Sequence, residues 1–271
     1  MNTGRRTALR WTGLGVVAAA GATLPLLGRR PAESLRPAPT EDGSLLLGRD
    51  RWTVQTGAGG WGNHELQTYT ESAVRFTDDG GIRITAHVRG SGPEAVCTSG
   101  RITTAGRFSF TEGTLTARMT LPEGQGLLPA FWLLGDGLAS AGWPACGEID
   151  VVETPNTSDR SVHTLHGKKA HKQLAWHLGN TVEWATPLSR GHHEYTVKRR
   201  PGRVVILVDG RVVLDRTRSE LGPKRWVFDE PFHVLLSLAV GGDWPGPPDA
   251  STPATSVLAV DRVRFTPGVE L

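Results

Sequence analysis

Short stretches in which apolar and polar residues alternate recur along most of the chain. The clearest of them cover residues 81–88, 113–119 and 257–265. Alternation with a period of two predicts β-strands that bury one face and expose the other. Apolar residues never recur at i, i+3, i+4 and i+7 over three turns, so the pattern does not predict a helical fold.

A β-hairpin is predicted in the second half of the chain. Val204–Val208 and Val212–Leu214 flank the pair Asp209-Gly210, which suits a type I′ turn. Many short strands, separated by turns rich in glycine and proline, indicate an all-β protein. We therefore expect a jelly-roll sandwich of two stacked antiparallel sheets, with a substrate groove on the concave face.

Residues 1–30 have the features of an export signal. Arg5, Arg6 and Arg10 precede Trp11–Gly28, a run without charge, and this is the pattern of a twin-arginine signal. The alternative is an uncleaved membrane anchor, because a run of this length just spans a bilayer. Four glycines and a proline within the run favour export, so we expect a secreted protein.

The rest of the chain is predicted to form one domain. Prolines cluster in residues 31–47, which indicates a linker. Residues 48–271 show no second linker and no repeat. A chain of 271 residues suits one large domain, and we expect it to be a monomer.

The charge of the chain gives no support to nucleic-acid binding. The formal net charge is +3, but removing the five arginines of residues 1–30 leaves −2. The basic excess therefore belongs to the predicted signal, and a domain without it lacks the electrostatic footprint of a nucleic-acid-binding protein.

The cysteine and histidine spacings do not predict a zinc site. Cys97 and Cys146 are the two cysteines of the chain and form no Cys-x-x-Cys motif. An exported protein permits one disulfide between them, and the sequence leaves open whether they pair. His163 and His166 are three residues apart, which is not the i, i+4 spacing of zinc peptidases.

The segment Glu148–Glu153 is the most informative about chemistry, because it carries three acids in a strand-forming context. Glu148 and Asp150 are two residues apart and share a face. Glu153 points to the other face unless one extra residue forms a β-bulge at Val151-Val152. Without the bulge its carboxylate would be buried among aliphatic side chains at considerable cost, so we expect the bulge.

Three carboxyl groups on one face cannot all ionise cheaply, so at least one of them should have a raised pKa. A protonated acid beside an ionised carboxylate is what glycoside hydrolysis requires, since one group protonates the leaving oxygen while the other attacks or stabilises the anomeric carbon. A solvated acidic sheet edge or a calcium site would fit the strand as well. If the strand serves catalysis, the candidate catalytic residues are Glu148, Asp150 and Glu153.

Beyond this strand, the chain resembles glycoside hydrolase family 16, and within it the laminarinase-like enzymes with the bulged Glu-x-Asp-x-x-Glu motif. The resemblance extends from Trp52 to Phe265 and rests on motifs in the family's order. These are residues 60–67, 98–102, 121–126 with 129–135, 143–153, 164–167, and 228–232 with 241–246.

The resemblance implies a retaining endo-β-1,3-glucanase that requires no cofactor. It assigns Glu148 as the nucleophile, Glu153 as the general acid/base and Asp150 as an assisting acid between them. The alternatives are a mixed-linkage β-1,3-1,4-glucanase or β-galactanase on the same scaffold, a transglycosylase, and a non-catalytic glucan-binding protein. Relatives that only bind glucan usually lose the acidic pair, which this chain retains.

The resemblance also implies a set of substrate-binding residues. An indole stacks well on the C–H face of a pyranose, whereas amide and guanidinium groups bind sugar hydroxyls. For the tryptophans the alternative is a place in the core, which we expect for Trp52, Trp176, Trp184 and Trp226. His166 is expected beside the acid/base, with a plain structural role as the alternative. The expected substrate-binding residues are Asn63, Trp61, Arg101, Trp132, Trp143, His166 and Trp244.

The chain departs from the family pattern at three places. Leu47–Asp50 replaces a Phe-x-Asp-Glu-Phe segment, Asp243 stands where asparagine is usual, and Val152 stands where methionine is common. The first departure weakens the expectation of the calcium site that many relatives carry, although Asp261 matches one ligand position. None of the three changes a predicted catalytic residue.

Overall fold

The computed structural model describes residues 43–168, 175–221 and 226–268. The predicted export signal, 1–30, and most of the predicted linker lie outside these ranges, so both stay predictions. None of the described helices is long and apolar enough to cross a membrane.

Strands dominate the described residues. Their bounds are β1 Leu45–Leu46, β2 Thr53–Gln55, β3 Gln67–Tyr69, β4 Val74–Phe76, β5 Ile82–Arg89, β6 Val96–Ser99, β7 Arg101–Thr103, β8 Ser109–Phe110, β9 Gly113–Thr120, β10 Leu127–Gly135, β11 Glu148–Glu153, β12 Arg160–Lys168, β13 Ala175–Glu183, β14 His193–Arg200, β15 Arg203–Val208, β16 Arg211–Thr217, β17 Phe232–Val240 and β18 Thr255–Thr266. One short α-helix, α1, spans Leu138–Ala141. Single 3-10 turns occur at Arg49–Arg51, Glu71–Ala73 and Arg218–Leu221.

The strands form two sheets. Sheet A has the order β16-β15-β14-β9-β18-β5-β6-β3, with β1 on β18 and β4 on β5. Sheet B has the order β13-β12-β11-β10-β17-β7-β2, with β8 on β17. Within the described ranges, β3 and β6 are the one parallel pair. The prediction of an all-β jelly roll with two antiparallel sheets is therefore confirmed.

The alternating segments form strands as predicted. The segment 81–88 forms β5 from Ile82 onward, and the segments 113–119 and 257–265 fall in β9 and β18. The apolar residues of β5 and β9 are buried, whereas in β18 Leu258, Val260 and Val263 are buried and Val257 is exposed. β15 and β16 form the predicted hairpin. Asp209 and Gly210 both have positive φ, at 49° and 78°, as a type I′ turn requires.

The hydrophobic core takes side chains from both sheets. Ile84 and Leu115 of sheet A belong to the same fully buried cluster as Phe131, Ile149 and Leu236 of sheet B. Burying these apolar side chains away from water is the main stabilising contribution to a sandwich of this kind.

The other face of sheet B, which we call the outer face, carries a second and smaller cluster. Leu134 of β10 and Leu235 of β17 pack there with Cys146, and Trp132 covers them. β17 is therefore buried along its whole length, because one face contacts the core and the other supports the outer face.

The structure bears on two further expectations, the start of the domain and the disulfide. The domain begins before residue 48, because Leu45 and Leu46 pair with β18 and Leu47 packs in the core; the predicted linker therefore overlaps the domain at its end. Cys97 and Cys146 are both free and buried, so they do not form the disulfide that the sequence left open.

Candidate active site

The acidic strand β11 contains the predicted bulge. Against β10, Val152 and Asp150 pair with consecutive residues, so Val151 between them has no partner. Against β12, the register shifts by one residue between Asp150 and Glu153. The extra residue turns Glu153 back to the face that carries Glu148.

The cross-strand partners of these acids show that this face is the outer face of sheet B. Glu148 lies beside Leu134, and Asp150 beside Trp132, and both partners belong to the outer cluster. The aliphatic residues of β11 belong to the central core instead. The strand thus separates its acids from its apolar side chains.

Glu148, Asp150 and His166 form a tight group. His166 Nε2 lies 2.9 Å from Asp150 Oδ2 and 3.9 Å from Glu148 Oε1. Only 4% of the Asp150 side chain and 17% of the Glu148 side chain are exposed. Trp143 Nε1 donates a hydrogen bond of 2.9 Å to Glu148 Oε2, which orients that carboxylate.

Burial raises the pKa of all three acids. It raises the pKa of Glu148 to about 7, with a further contribution from the negative charge of Asp150. Burial raises the pKa of Asp150 to about 8. Burial, followed by the charge of Asp150, also holds the pKa of Glu153 well above the usual range. Near neutral pH the site can therefore hold a protonated acid beside an ionised one.

Arg101 is held on the outer face between two indoles. Its guanidinium carbon lies 4.6 Å from the ring centroid of Trp132 and 5.0 Å from that of Trp61. Its Nε donates a hydrogen bond of 2.7 Å to Gln55 Oε1. Burial lowers the pKa of Arg101, and nearby acidic groups, Glu148 among them, oppose that shift. The guanidinium is thus a fixed donor close to the nucleophile candidate.

The tryptophans expected to bind sugar remain accessible to different degrees. Trp143 is 53% exposed and Trp244 is 41% exposed. Trp132 and Trp61 are half-buried, and Trp132 Nε1 donates to Ser237 Oγ at 3.1 Å. The tryptophans expected in the core are buried or pack against it: Trp52, Trp176, Trp184 and Trp226.

Asn63 lies in the loop that follows Trp61. Its Oδ1 is buried and has no hydrogen-bond partner among the described residues. Its backbone oxygen accepts a hydrogen bond from the Asp243 N–H at 2.9 Å, and His64 Nδ1 lies 2.9 Å from Asp243 Oδ2. The aspartate found where asparagine was expected therefore connects this loop to the loop of Trp244.

Asp261 does not fit the calcium ligand that the resemblance implied. Its Oδ2 pairs with the Arg118 guanidinium, and its Oδ1 lies 3.0 Å from His192 Nε2. A calcium site is built from oxygen ligands, whereas here an arginine supplies the positive charge next to the carboxylate. The metal expectation therefore has no support at this residue.

Glu148, Asp150 and His166 are the residues that could hold a metal ion in the described parts of the chain, since their ligand atoms lie within 4.8 Å of one another. Two of the three are the carboxylates that the resemblance assigns to catalysis. An ion at this position would neutralise the charges that glycoside hydrolysis uses.

Sequence reasoning assigned no role to several residues that shape the site. Gln55 and Ser237 flank Arg101 across the sheet, and the former holds Arg101 while the latter holds Trp132. Only the pairing of distant strands brings them together, so no local motif indicates them. Glu65, whose Oε2 accepts hydrogen bonds from Gln67 and Tyr69, lies within the quoted 60–67 motif.

A β-sandwich that groups carboxylates with raised pKa values and accessible indoles on one sheet face has the equipment of a polysaccharide-cleaving enzyme. Residues 62–256 match Glycosyl hydrolases family 16. The chain is 34% identical over 239 residues to a β-glucanase of Rhodothermus marinus, covering 84% of this chain and 83% of that protein.

Two solved structures agree with this match. The laminarinase catalytic domain of Thermotoga maritima is 31% identical with a TM-score of 0.73, covering 82% of this chain and 93% of that one. The endo-β-1,3-glucanase of Pyrococcus furiosus is 34% identical with a TM-score of 0.71, covering 84% and 92%. The chain belongs to glycosyl hydrolase family 16, in its laminarinase-like branch.

Proposed function

We propose that the protein hydrolyses β-1,3-glucan at internal bonds with retention of anomeric configuration. The observation that carries the proposal is the bulged strand β11, which places Glu148 and Glu153 on one face with Asp150 between them. The activities named for the similar laminarinase and endo-β-1,3-glucanase support this substrate and internal cleavage.

In the first step, Glu153 gives its proton to the glycosidic oxygen while a Glu148 oxygen attacks the anomeric carbon. The C1–O bond breaks, and the part of the glucan beyond the cut departs with a free hydroxyl. The remaining glycosyl group stays bound to Glu148 as an ester. The raised pKa of Glu153 supports this role, because the acid must carry its proton when substrate binds.

In the second step, the Glu153 carboxylate takes a proton from water, and the oxygen of that water attacks the same carbon from the opposite side. The ester bond breaks and Glu148 leaves as a carboxylate. Two successive inversions return the original β configuration. Glu153 ends the cycle protonated, as it began.

Asp150 and His166 support the charge changes of Glu148. Burial raises the pKa of both carboxyl groups, that of Asp150 to about 8 and that of Glu148 to about 7. Because the two carboxyl groups titrate together, a proton held by Asp150 would lower the cost of ionising Glu148 for attack. His166, at 2.9 Å from Asp150, stabilises the negative charge of the pair.

Sugar binding is proposed along the outer face. Trp132 and Trp61 flank Arg101, so a glucosyl unit there would stack on indole and bond to guanidinium. Asn63, in the loop that Asp243 joins to that of Trp244, would hydrogen-bond a sugar hydroxyl through its amide group. Trp143 lies next to the nucleophile, and the exposed Trp244 would contact sugars at the edge.

We further propose that the enzyme is exported as a monomer and needs no cofactor. The paired arginines of residues 1–30 support export. The two-step reaction requires only carboxyl groups and water, which supports catalysis without a metal.

Azide rescue tests the two catalytic assignments separately. In Glu153→Ala, azide should replace water in the second step and yield the β-glycosyl azide from an aryl glucoside. In Glu148→Ala, azide should attack the substrate directly and yield the α-glycosyl azide. Product stereochemistry by NMR distinguishes them, and the same azide anomer from both variants contradicts the assignments.

A substrate panel tests the linkage. Laminarin should release reducing ends faster than lichenan or β-galactan. Preference for lichenan or galactan would move the assignment to the mixed-linkage or galactan-cleaving alternatives. Glucan binding without new reducing ends would identify a binding protein, and longer products at constant reducing-end number would identify a transglycosylase.

A further inference from the structure

A buried chain of hydrogen bonds lies behind the catalytic strand. His163 of β12 is 0% exposed. Its Nδ1 lies 2.6 Å from the backbone oxygen of Val151, and its Nε2 lies 2.8 Å from Ser161 Oγ. Trp184 Nε1 donates to that hydroxyl oxygen at 2.8 Å. This series of hydrogen bonds therefore extends from Trp184, at the edge of the core, to Val151 in the bulge.

The bulge explains why Val151 needs such a partner. Val151 pairs with no residue of β10 or β12, and it is fully buried. A bulge leaves its extra residue out of the ladder, and a buried carbonyl without a donor is strongly unfavourable. The His163 ring supplies the donor that the neighbouring strand would otherwise provide.

The order of donors and acceptors determines the tautomer of His163. The Val151 carbonyl can only accept, so Nδ1 carries the proton. Nε2 of the neutral ring then accepts from the Ser161 hydroxyl, whose oxygen accepts from Trp184. Burial lowers the pKa of His163 to about 4, which keeps the ring neutral at neutral pH.

We propose that His163 is a positioning residue for catalysis: through the Val151 carbonyl it holds the bulge, and the bulge holds Glu153 on the outer face. His163 itself lies on the core side, next to Val162, which pairs with Glu153. The proposal rests on the proposed role of Glu153 as general acid/base.

Three variants test this role. His163→Phe keeps the volume of the ring and removes both hydrogen bonds. His163→Asn retains an amide N–H close to the place of Nδ1, so it should restore the bond to Val151. Thr104→Val is the matched control, because Thr104 is equally buried and bonds two backbone groups, at 2.8 and 2.9 Å, away from β11.

The readout compares kcat/KM on laminarin with kcat/KM on 2,4-dinitrophenyl β-laminaribioside. Dinitrophenolate leaves without being protonated, so the first step on this substrate does not need Glu153. His163→Phe should lower kcat/KM on laminarin about tenfold or more and on the aryl substrate less than about twofold. His163→Asn should regain most of the activity on laminarin.

Thr104→Val should lose activity equally on the two substrates, because its only effect is a smaller folded fraction. If His163→Phe also loses activity equally on the two substrates, the proposal is wrong. If His163→Phe does not fold, Ser161→Ala removes the donor to Nε2 and should show the same substrate dependence more weakly.

Glu153→Ala separates the positioning role of His163 from the catalytic role of Glu153. If it shows the substrate dependence and the His163 and Ser161 variants do not, the positioning role alone fails; if it lacks the dependence, the catalytic role and this inference fail together.

Discussion

Each sheet has a bulge beside carboxylate groups, and the two sites differ in what surrounds the charge. In sheet A, Asp261 is left out of the ladder with β9, and Arg118 and His192 contact its two oxygens. In sheet B, three acids share one face. Burial outweighs the influence of His166 on Glu148 and Glu153, and that of Arg101 on Glu148. A carboxylate that is paired with positive charge stabilises the fold. A group of buried carboxyl groups without enough positive charge nearby is costly to ionise, and their raised pKa values are what catalysis uses.

The largest expected effect is on activity. Glu148→Gln should lower laminarin hydrolysis by roughly three orders of magnitude or more, because an amide cannot form the glycosyl ester. Asp261→Asn makes the same chemical change at the other bulge and should leave the rate within about twofold. Reducing-end release measures both, and similar losses in the two variants would remove the distinction between the sites.

The pH dependence of kcat/KM should reflect the raised pKa values. Glu148 must be ionised to attack, so activity should rise with pH through a value near 7 and not near the usual 4.5. Glu153 must be protonated, so activity should fall again above its raised pKa. Asp261→Asn should leave this profile unchanged, and an acid limb at or below 4.5 in the parent would contradict the burial argument.

Stability should change in the opposite sense from activity. Because the pKa of Glu148 is raised on folding, the stability that this group contributes is fully present below pH 4.5 and is lost as the pH rises towards 7. Glu148→Gln escapes this loss, so it should be more stable than the parent by up to about 3 kcal/mol at neutral pH and little different at pH 4. Urea unfolding at the two pH values checks the prediction, and a less stable variant at pH 7 would refute it.

The smallest expected effect concerns Asp261. Asp261→Asn should lower the free energy of unfolding by about 1 kcal/mol, because it leaves the half-buried Arg118 without its carboxylate.

EDTA should leave the melting temperature of the parent protein unchanged, since Arg118 already supplies positive charge at Asp261. A large fall in melting temperature with EDTA, restored by Ca²⁺, would show that a metal contributes after all.

Much of the fold and the central strand could be predicted from the sequence, because local physics decides them. Alternation predicts the strands, and Asp209-Gly210 predicts the hairpin. The five-residue spacing of Glu148 and Glu153 predicts the bulge, because the alternative buries a carboxylate in the core.

The partners of these residues could not be predicted, because they are distant in sequence. Gln55 meets Arg101 only through the pairing of β2 with β7. Trp184, which directly follows β13, donates its hydrogen bond to Ser161 of β12. The sequence alone matched Asp261 to a calcium-ligand position, because it does not show that Arg118 of a neighbouring strand pairs with this carboxylate. The start of the domain was placed too late for a similar reason, since Leu45 and Leu46 are strand residues only because β18 is next to them.

Trapping the glycosyl-enzyme tests the central claim most directly. A 2-deoxy-2-fluoro-β-laminaribioside with a dinitrophenyl leaving group should form the ester but hydrolyse it slowly, because fluorine destabilises the oxocarbenium-like transition state. Peptide mass spectrometry should then find the added disaccharide on Glu148, and none in Glu148→Gln. A label on Glu153, or on a residue outside β11, would contradict the account.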